Sequence, residues 1–449
     1  MFRKLLIANR GEISRRIGQV ARAMGLSTVA VYSDADEKLP FVREATESIR
    51  IGPPPAKDSY LNIPAILDAA KKTGAEAIHP GYGFLSENAD FARACKDAGV
   101  IWVGPPPEAM ARMKDKSQAR KIVQSAGVPV VPGSEGVVPD LESCQREAAR
   151  IGFPVLCKAA GGGGGIGMAA AKDPGELEKV FRQCTDRARA AFGREGVYLE
   201  RYFPRPRHIE VQILGDHHGH LIHGLERECS IQRRHQKVVE EAPSPLFAGG
   251  ANADVYSSLL DAAVKAARAF GYANAGTVEF LYSEGAVYFI EMNARLQVEH
   301  PVTELTTGLD LIGWQLRIAA GEKLTVQQAN VQRCGAALEF RIYAEDPVKF
   351  FPSPGTIQKL VPPSGEGVRL DGGYEEGSVV TPNYDPMIAK LIVSGRDRAE
   401  AIARSRAALE AFTVEGIKTN IPLHRRIVAD PAFAAGTLDT KFLEEHARP

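Results

Sequence analysis

Apolar and polar positions switch between two periods along the first hundred residues. A short apolar run, Leu5–Ala8, is followed by helix-spaced apolar residues over Glu12–Met24 and by a second apolar run at Ser27–Tyr32. Further short apolar runs occur at Ala75–His79 and Val100–Val103. Strands of this length alternating with helical patterns predict a doubly wound α/β domain over residues 1–112. It has no Gly-x-Gly-x-x-Gly fingerprint, so its likeness to dinucleotide-binding folds is architectural. The segment His79-Pro-Gly-Tyr-Gly-Phe-Leu-Ser-Glu-Asn88 follows a strand end, where open α/β sheets place ligand contacts.

Residues 131–203 read as a compact α+β insert. Its strand Phe153–Lys158 runs into Gly161 through Gly165, with a sixth glycine at Gly167. Such a run cannot pack as an element. It lets backbone N–H groups approach phosphate oxygens closely, and it can hinge. A plain flexible linker is the alternative. The strand Gly196–Phe203 ends where the insert rejoins the body. Residues 204–332 are strand-rich and then helical at Asp310–Ala320; from 333 a β-rich stretch, Cys334–Leu391, leads into a helix at Ala399–Ala411. The expected organisation is multidomain, α/β and α+β: 1–112, then 113–332 with its insert, then a β-rich 333–449.

Length and charge narrow the function. A chain of 449 residues suggests about three domains. Acidic and basic residues balance at 55 each, so no global basic field attracts nucleic acid or an anionic membrane, and anion binding must be local. The six cysteines form no Cys-x-x-Cys pair and read as reduced thiols of a cytoplasmic protein. The N-terminal apolar run is a first strand rather than a signal sequence, and no stretch approaches a membrane span.

The candidate chemistry gathers at Glu291-Met-Asn-Ala-Arg-Leu-Gln-Val-Glu-His-Pro301, after the apolar strand Val287–Ile290. Glu291 and Asn293, two apart on a strand, share a face. Upstream, Thr277–Tyr282 is a partner strand, and a three-residue loop at 284–286 would place Glu279 opposite Glu291. Two facing carboxylates repel unless a positive charge lies between them. Oxygen donors without Cys or His favour a hard cation such as Mg²⁺. Arg295, Gln297 and Glu299 add a cation and a potential base beside it. The glycine run is not a Walker element, because its lysine, Lys158, precedes it; Lys116 can supply a second point charge for a triphosphate. In the charged run Glu226–Glu241, Arg233, His235, Lys237 and Val239 share one face if the segment is a single strand; the alternative is an exposed charged ribbon.

With those segments in hand the chain resembles the biotin carboxylases of the ATP-grasp superfamily, over essentially its whole length. The carrying segments are IANRGEI at 7–13, HPGYGFLSEN at 79–88, GGGGGIGM at 161–168, QRRHQKVVEEAP at 232–243, EMNARLQVEHPVTE at 291–304 and RIYAEDP at 341–347. The resemblance implies an ATP-grasp domain whose mobile glycine-loop lid closes on ATP. It implies that Lys116, Lys158, Gly164 and Gly165 meet the phosphates and that Glu200, Arg201, Tyr202 and Phe203 flank adenine. It places His208, Gln232 and His235 near the nucleotide and gives Glu279, Glu291 and Asn293 to Mg²⁺ or Mn²⁺. Lys237, Arg295, Gln297 and the Val298 backbone would position bicarbonate, Glu299 would be the base, and Arg341 and Tyr82 would contact biotin. The implied partners are a biotin carboxyl carrier protein or domain and a carboxyltransferase subunit.

Two departures from the family pattern stand out. Many relatives have Arg where this chain has Ile166. Of the positions that match homodimer contacts in the family, Arg16, Gln19, Ala23, Glu366 and Arg369, three lack the usual charged or aromatic residue, which weighs against a homodimer. The chain ends without a biotinyl motif, so biotin is expected on another polypeptide, or the chain is part of a longer carboxylase. An acyl-CoA carboxylase component of acetyl- or propionyl-CoA type is the favoured reading, partly from Tyr384–Leu391. Pyruvate and urea carboxylases, an ATP-grasp carboxylate–amine ligase and a regulatory subunit without turnover are the alternatives.

Overall fold

A computed structural model describes residues 1–159, 168–192, 197–234 and 236–446. They divide into two compact units: Met1–Val128, Arg207–Val287 and Glu291–Pro449 make one, and Pro129–Pro206 with Tyr288–Ile290 make the other.

The larger unit begins with a five-stranded parallel sheet: β1 (Lys4–Ile7), β2 (Ser27–Ser33), β3 (Glu47–Gly52), β4 (Ala77–His79) and β5 (Ile101–Trp102). Their order is β3-β2-β1-β4-β5, the doubly wound arrangement that the alternation of periods predicts. The strand β3 has no counterpart in the sequence reading. It is an edge strand with an exposed Glu47-Ser-Ile-Arg50 stretch, so it lacks the apolar run that marks the others. Strand order reverses between β1 and β4, and the loops that follow these two strands carry the segments at 7–13 and 79–88. The Asn9 amide ties the loops together, donating to the carbonyls of Pro80 at 2.6 Å and Tyr82 at 2.8 Å. Gly81 has φ +64°, and a Cβ there would lie 2.9 Å from the Asn9 amide nitrogen, so the crossing needs glycine.

The smaller unit is a three-stranded antiparallel sheet of β6 (Val155–Ala159), β7 (Met168–Ala171) and β8 (Val197–Arg201), in the order β7-β6-β8. Val155 and Cys157 are buried with Cys144 and Ala148 of the helix Leu141–Ile151 and Leu177, Phe181 and Cys184 of the helix Pro174–Phe192. Lys158 alternates to the opposite face, where it ion-pairs with Glu200 of β8.

The rest of the larger unit is built on eight strands: β9 (Arg207–Gly215), β10 (Leu221–Arg233), β11 (Gln236–Ala242), β12 (Asn274–Ser283), β13 (Ala286–Asn293), β14 (Ala336–Tyr343), β15 (Val368–Gly372) and β16 (Met387–Gly395). Their order is β13-β12-β9-β10-β11-β14-β16-β15. Two sequence expectations change here. The loop between β12 and β13 has two residues, Glu284 and Gly285, both at positive φ as a tight hairpin turn requires, so loop length does not itself place Glu279 opposite Glu291. The charged run at 226–241 is a hairpin rather than one strand: Gln232 faces Lys237 and Arg233 faces Gln236, so Arg233 does not extend the face of Lys237. Nor is it a solvated ribbon, because Arg227, Glu228, Glu240 and Glu241 are all buried. Among the described residues, no helix is long and apolar enough to cross a membrane.

Candidate active site

The antiparallel ladder brings the buried charges together. On β9, His208, Glu210 and Gln212 alternate with apolar residues and share a face. In register, Glu210 lies beside Glu279 of β12 on one side and Arg227 of β10 on the other. Lys237 of β11 reaches in from the hairpin. Its Nζ donates to Glu210 Oε2 at 2.5 Å, Glu299 Oε1 at 2.7 Å and Glu279 Oε1 at 2.9 Å. Arg227, fully buried, donates to the other oxygen of Glu210 at 2.5 Å.

Glu299 closes the segment that follows β13 and precedes the helix His300–Thr307. Its second oxygen accepts from Arg341 Nη2 of β14 at 2.9 Å, while Arg341 Nε donates to Glu240 Oε1 at 2.6 Å. Arg295 Nη1 donates to Gln297 Oε1 at 2.5 Å and its Nη2 to Asn293 Oδ1 at 3.0 Å; Gln297 in turn donates to Glu279 Oε1 at 3.1 Å. Glu87, from the 79–88 segment, accepts from the Ala294 N–H at 2.9 Å.

These contacts fix ionisation states. Burial opposes a charge on Glu299, but Lys237, Arg341 and Arg227 outweigh it and hold the carboxyl well below the usual range. Glu279 is held low in the same way, against burial, by Lys237 and His208. Burial also works against the Lys237 ammonium, but Glu210, Glu279 and Glu299 keep it charged well above the ordinary lysine range. Glu240 goes the other way. Burial pushes it up to about 7 although Arg341 pulls it down.

Lys237, Arg295, Gln297, Val298, Glu299, Arg341, Glu279, Asn293, His208 and Gln232 therefore fall in one region of the larger unit, His208 Nε2 lying 3.3 Å from Glu279 Oε2 and Gln232 Nε2 3.4 Å from His208 Nδ1. Glu291 meets Lys116 instead, at 2.7 Å. The Tyr82 hydroxyl is buried and makes no hydrogen bond to Arg341. Lys158, Glu200, Arg201, Tyr202 and Phe203 belong to the smaller unit, where the Phe203 ring stacks on Tyr288 at 5.0 Å between centroids and Arg201 donates to the Phe153 carbonyl at 2.7 Å. Gly164, Gly165, Ile166 and His235 lie outside the described residues. Sequence reasoning missed Glu210, Arg227, Glu240 and the fully buried Lys390. The alternation of His208, Glu210 and Gln212 on β9 was the available signal.

The oxygen donors suit a hard divalent cation. Glu279 and Glu291 stand on neighbouring strands with Asn293 Oδ1 two residues beyond Glu291, and the carboxylates of Glu210 and Glu279 place ligand atoms within 4.8 Å of each other and of a His208 ring nitrogen.

Comparison with known proteins agrees with this architecture. Three family descriptions match in order: "Biotin carboxylase, N-terminal domain" over residues 1–110, "Carbamoyl-phosphate synthase L chain, ATP binding domain" over 115–327, and "Biotin carboxylase C-terminal domain" over 339–445. An ATP-binding domain flanked by these two defines an ATP-dependent ligase. The chain belongs to the biotin carboxylase family. It is 52% identical to the biotin carboxylase of Halalkalibacterium halodurans, covering 100% of this chain and 98% of that one. The biotin carboxylase–β,γ-ATP complex from Campylobacter jejuni superposes with TM-score 0.91 at 44% identity, covering 99% of each chain. The biotin carboxylase domain dimer of Hydrogenobacter thermophilus 2-oxoglutarate carboxylase, solved with MgADP, ADP and bicarbonate, gives TM-score 0.89 at 46% identity, covering 99% of this chain and 98% of that one. Relatives of comparable similarity serve other carboxylases. They include a pyruvate carboxylase component of Methanothermobacter thermautotrophicus (48%; 100% and 91% covered) and the alpha chain of rice mitochondrial methylcrotonoyl-CoA carboxylase (50%; 99% and 60% covered).

The dimer among these relatives corrects the reading of the interface positions. In this chain Arg16 donates to Glu304 at 3.0 Å, Arg369 binds Glu304 and Asp371, and Glu366 pairs with Arg404 at 2.9 Å. Departures from the usual residues at three of these five positions do not argue against a dimer when a relative 46% identical forms one.

Proposed function

We propose that this biotin carboxylase carboxylates N1 of biotin on a biotin carboxyl carrier protein or domain, using ATP and bicarbonate, as the first half-reaction of an acyl-CoA carboxylase of acetyl- or propionyl-CoA type, and that it works as a homodimer. The observation that supports the chemistry best is Glu299, ionised between Lys237 and Arg341. Glu299 takes the proton of bicarbonate, which Lys237, Arg295, Gln297 and the Val298 backbone orient. The bicarbonate oxygen attacks the γ-phosphorus of ATP, ADP leaves, and carboxyphosphate forms. Lys116 and Lys158 spread the charge of the phosphoryl oxygens. A divalent cation held by Glu279, Glu291 and Asn293 would neutralise phosphate charge further. Carboxyphosphate then breaks to CO₂ and phosphate, and the phosphate removes the N1 proton. Arg341 stabilises the ureido oxygen, and N1 attacks CO₂. A carboxyl transfer through so labile an intermediate requires that water be excluded.

The acceptor binds elsewhere. Tyr384 is engaged in packing, with its hydroxyl on Ser33 Oγ at 2.6 Å and its ring over Arg10, and the acyl-CoA reading rests on the likeness of its segment alone. Bicarbonate-dependent ATP cleavage stimulated by free biotin tests the half-reaction. ATP cleavage indifferent to both would refute it. Isolation of the co-purifying carboxyltransferase, assayed against acetyl-CoA, propionyl-CoA and pyruvate, decides the acceptor.

A further inference from the structure

We infer that Lys390 and His300 are positioning residues for the bicarbonate step, clamping the peptide planes on either side of Val298. This rests on the reading of Val298 and Glu299 as the bicarbonate turn. Arg341 and Lys390 are direct cross-strand partners on β14 and β16. Their side chains reach consecutive residues of one turn. Arg341 binds the Glu299 carboxylate at 2.9 Å, and Lys390 Nζ donates to the Val298 carbonyl at 2.8 Å. One residue earlier, His300 Nδ1 lies 2.8 Å from the Gln297 carbonyl. A carbonyl only accepts, so Nδ1 carries the proton, and burial together with the nearby Lys390, Arg369 and Arg16 keeps the imidazole neutral.

The geometry has a simple consequence. The peptide 297–298 carries the Val298 N–H and the Gln297 carbonyl; the peptide 298–299 carries the Val298 carbonyl. Holding both carbonyls fixes φ and ψ of Val298 together, and with them the direction of its N–H and the exit vector of Glu299. Preorganised donors of this kind act without reorganising when charge develops.

Both clamps, Lys390 and His300, are fully buried, and Lys390 is itself braced. Lys390 Nζ lies 3.5 Å from Glu12 Oε2, 4.0 Å from Asp371 Oδ2 and 5.8 Å from the centre of the Tyr82 ring. Glu12 belongs to the 7–13 segment, Tyr82 to the 79–88 segment and Lys390 to Tyr384–Leu391. Three segments that the chemistry above leaves largely unused thus converge behind the bicarbonate turn.

The test is steady-state ATP cleavage by the full chain with free biotin, varying bicarbonate and ATP separately. Lys390→Met and His300→Phe should each raise the bicarbonate KM roughly tenfold or more, as a small misplacement of a reacting group does, with the ATP KM within about twofold of wild type. The double variant Glu12→Gln/Lys390→Met removes both members of the buried pair and leaves Asp371 to Arg369. It should melt close to wild type and still show the raised bicarbonate KM. A wild-type bicarbonate KM in that double variant, an ATP KM rising in step, or failure of all three variants to fold would make these residues scaffold and overturn the proposal. Failure of the functional reading would be seen separately, as wild-type ATP cleavage indifferent to bicarbonate.

Discussion

At the scale of single residues the site separates a base from an anchor. Glu299→Gln should abolish bicarbonate-dependent ATP cleavage, by at least roughly a hundredfold, while ATP binding measured by calorimetry stays within about twofold. Arg341→Ala should spare bicarbonate-dependent ATP cleavage more than biotin carboxylation. Equal loss of both activities in both variants would refute the division of roles. A second residue-scale prediction concerns pH. Glu12 is buried and its carboxyl is pushed up to about 7, by burial first, against the pull of Lys390. A carboxyl raised in the folded state contributes most below its unfolded value near 4.5 and loses that contribution as pH rises toward about 7. Glu12→Gln removes this loss. The variant should therefore gain on wild type in unfolding free energy between pH 5 and 7, by up to about 3 kcal/mol, and no further above that. A difference that shrinks with rising pH would contradict the buried, raised carboxyl. Residues 295–299 were legible because several charges crowd a short segment after an apolar strand. Lys390 was not: a lone lysine in the apolar run Met387–Val393 reads as the solvated side of a strand, and only a neighbouring carbonyl and carboxylates explain its burial.

At the scale of elements, one contact joins the start of the chain to its β-rich end. Gly373 follows β15, and a Cβ there would lie 2.5 Å from the Glu12 backbone nitrogen and 2.8 Å from the Gly11 carbonyl carbon. Backbone at a helix start cannot yield cheaply. Gly373→Ala should destabilise the chain by about 1–3 kcal/mol, read by thermal melting. An unchanged melting temperature would mean that the helix Gly11–Ala23 shifts freely against β15. The strand–helix alternation of the first hundred residues was legible because its inner strands are apolar runs and its helices are amphipathic. The edge strand β3 was hidden by its polar face. The hairpin of β10 and β11 was read as one strand because its turn lies inside a run of charges with no apolar break, and those charges, which normally mark a wet face, are buried here and satisfy one another.

At the scale of the whole molecule, the chain of 48.5 kDa should sediment at twice that mass. A monomer at micromolar concentration in analytical ultracentrifugation would contradict the homodimer. The carboxylates of Glu210, Glu279 and Glu299 would make the fold dependent on a bound cation if nothing else held them apart. Lys237 does so already. Chelation with EDTA should accordingly abolish ATP cleavage while leaving the melting temperature unchanged; a large drop on chelation would show that the metal is structural. The same ammonium changes what ligand arrival means. A cation held by Glu279 would meet a carboxylate that already shares the Lys237 ammonium. The lysine is thus a tethered counter-ion, built into the fold where three carboxylates would otherwise repel one another.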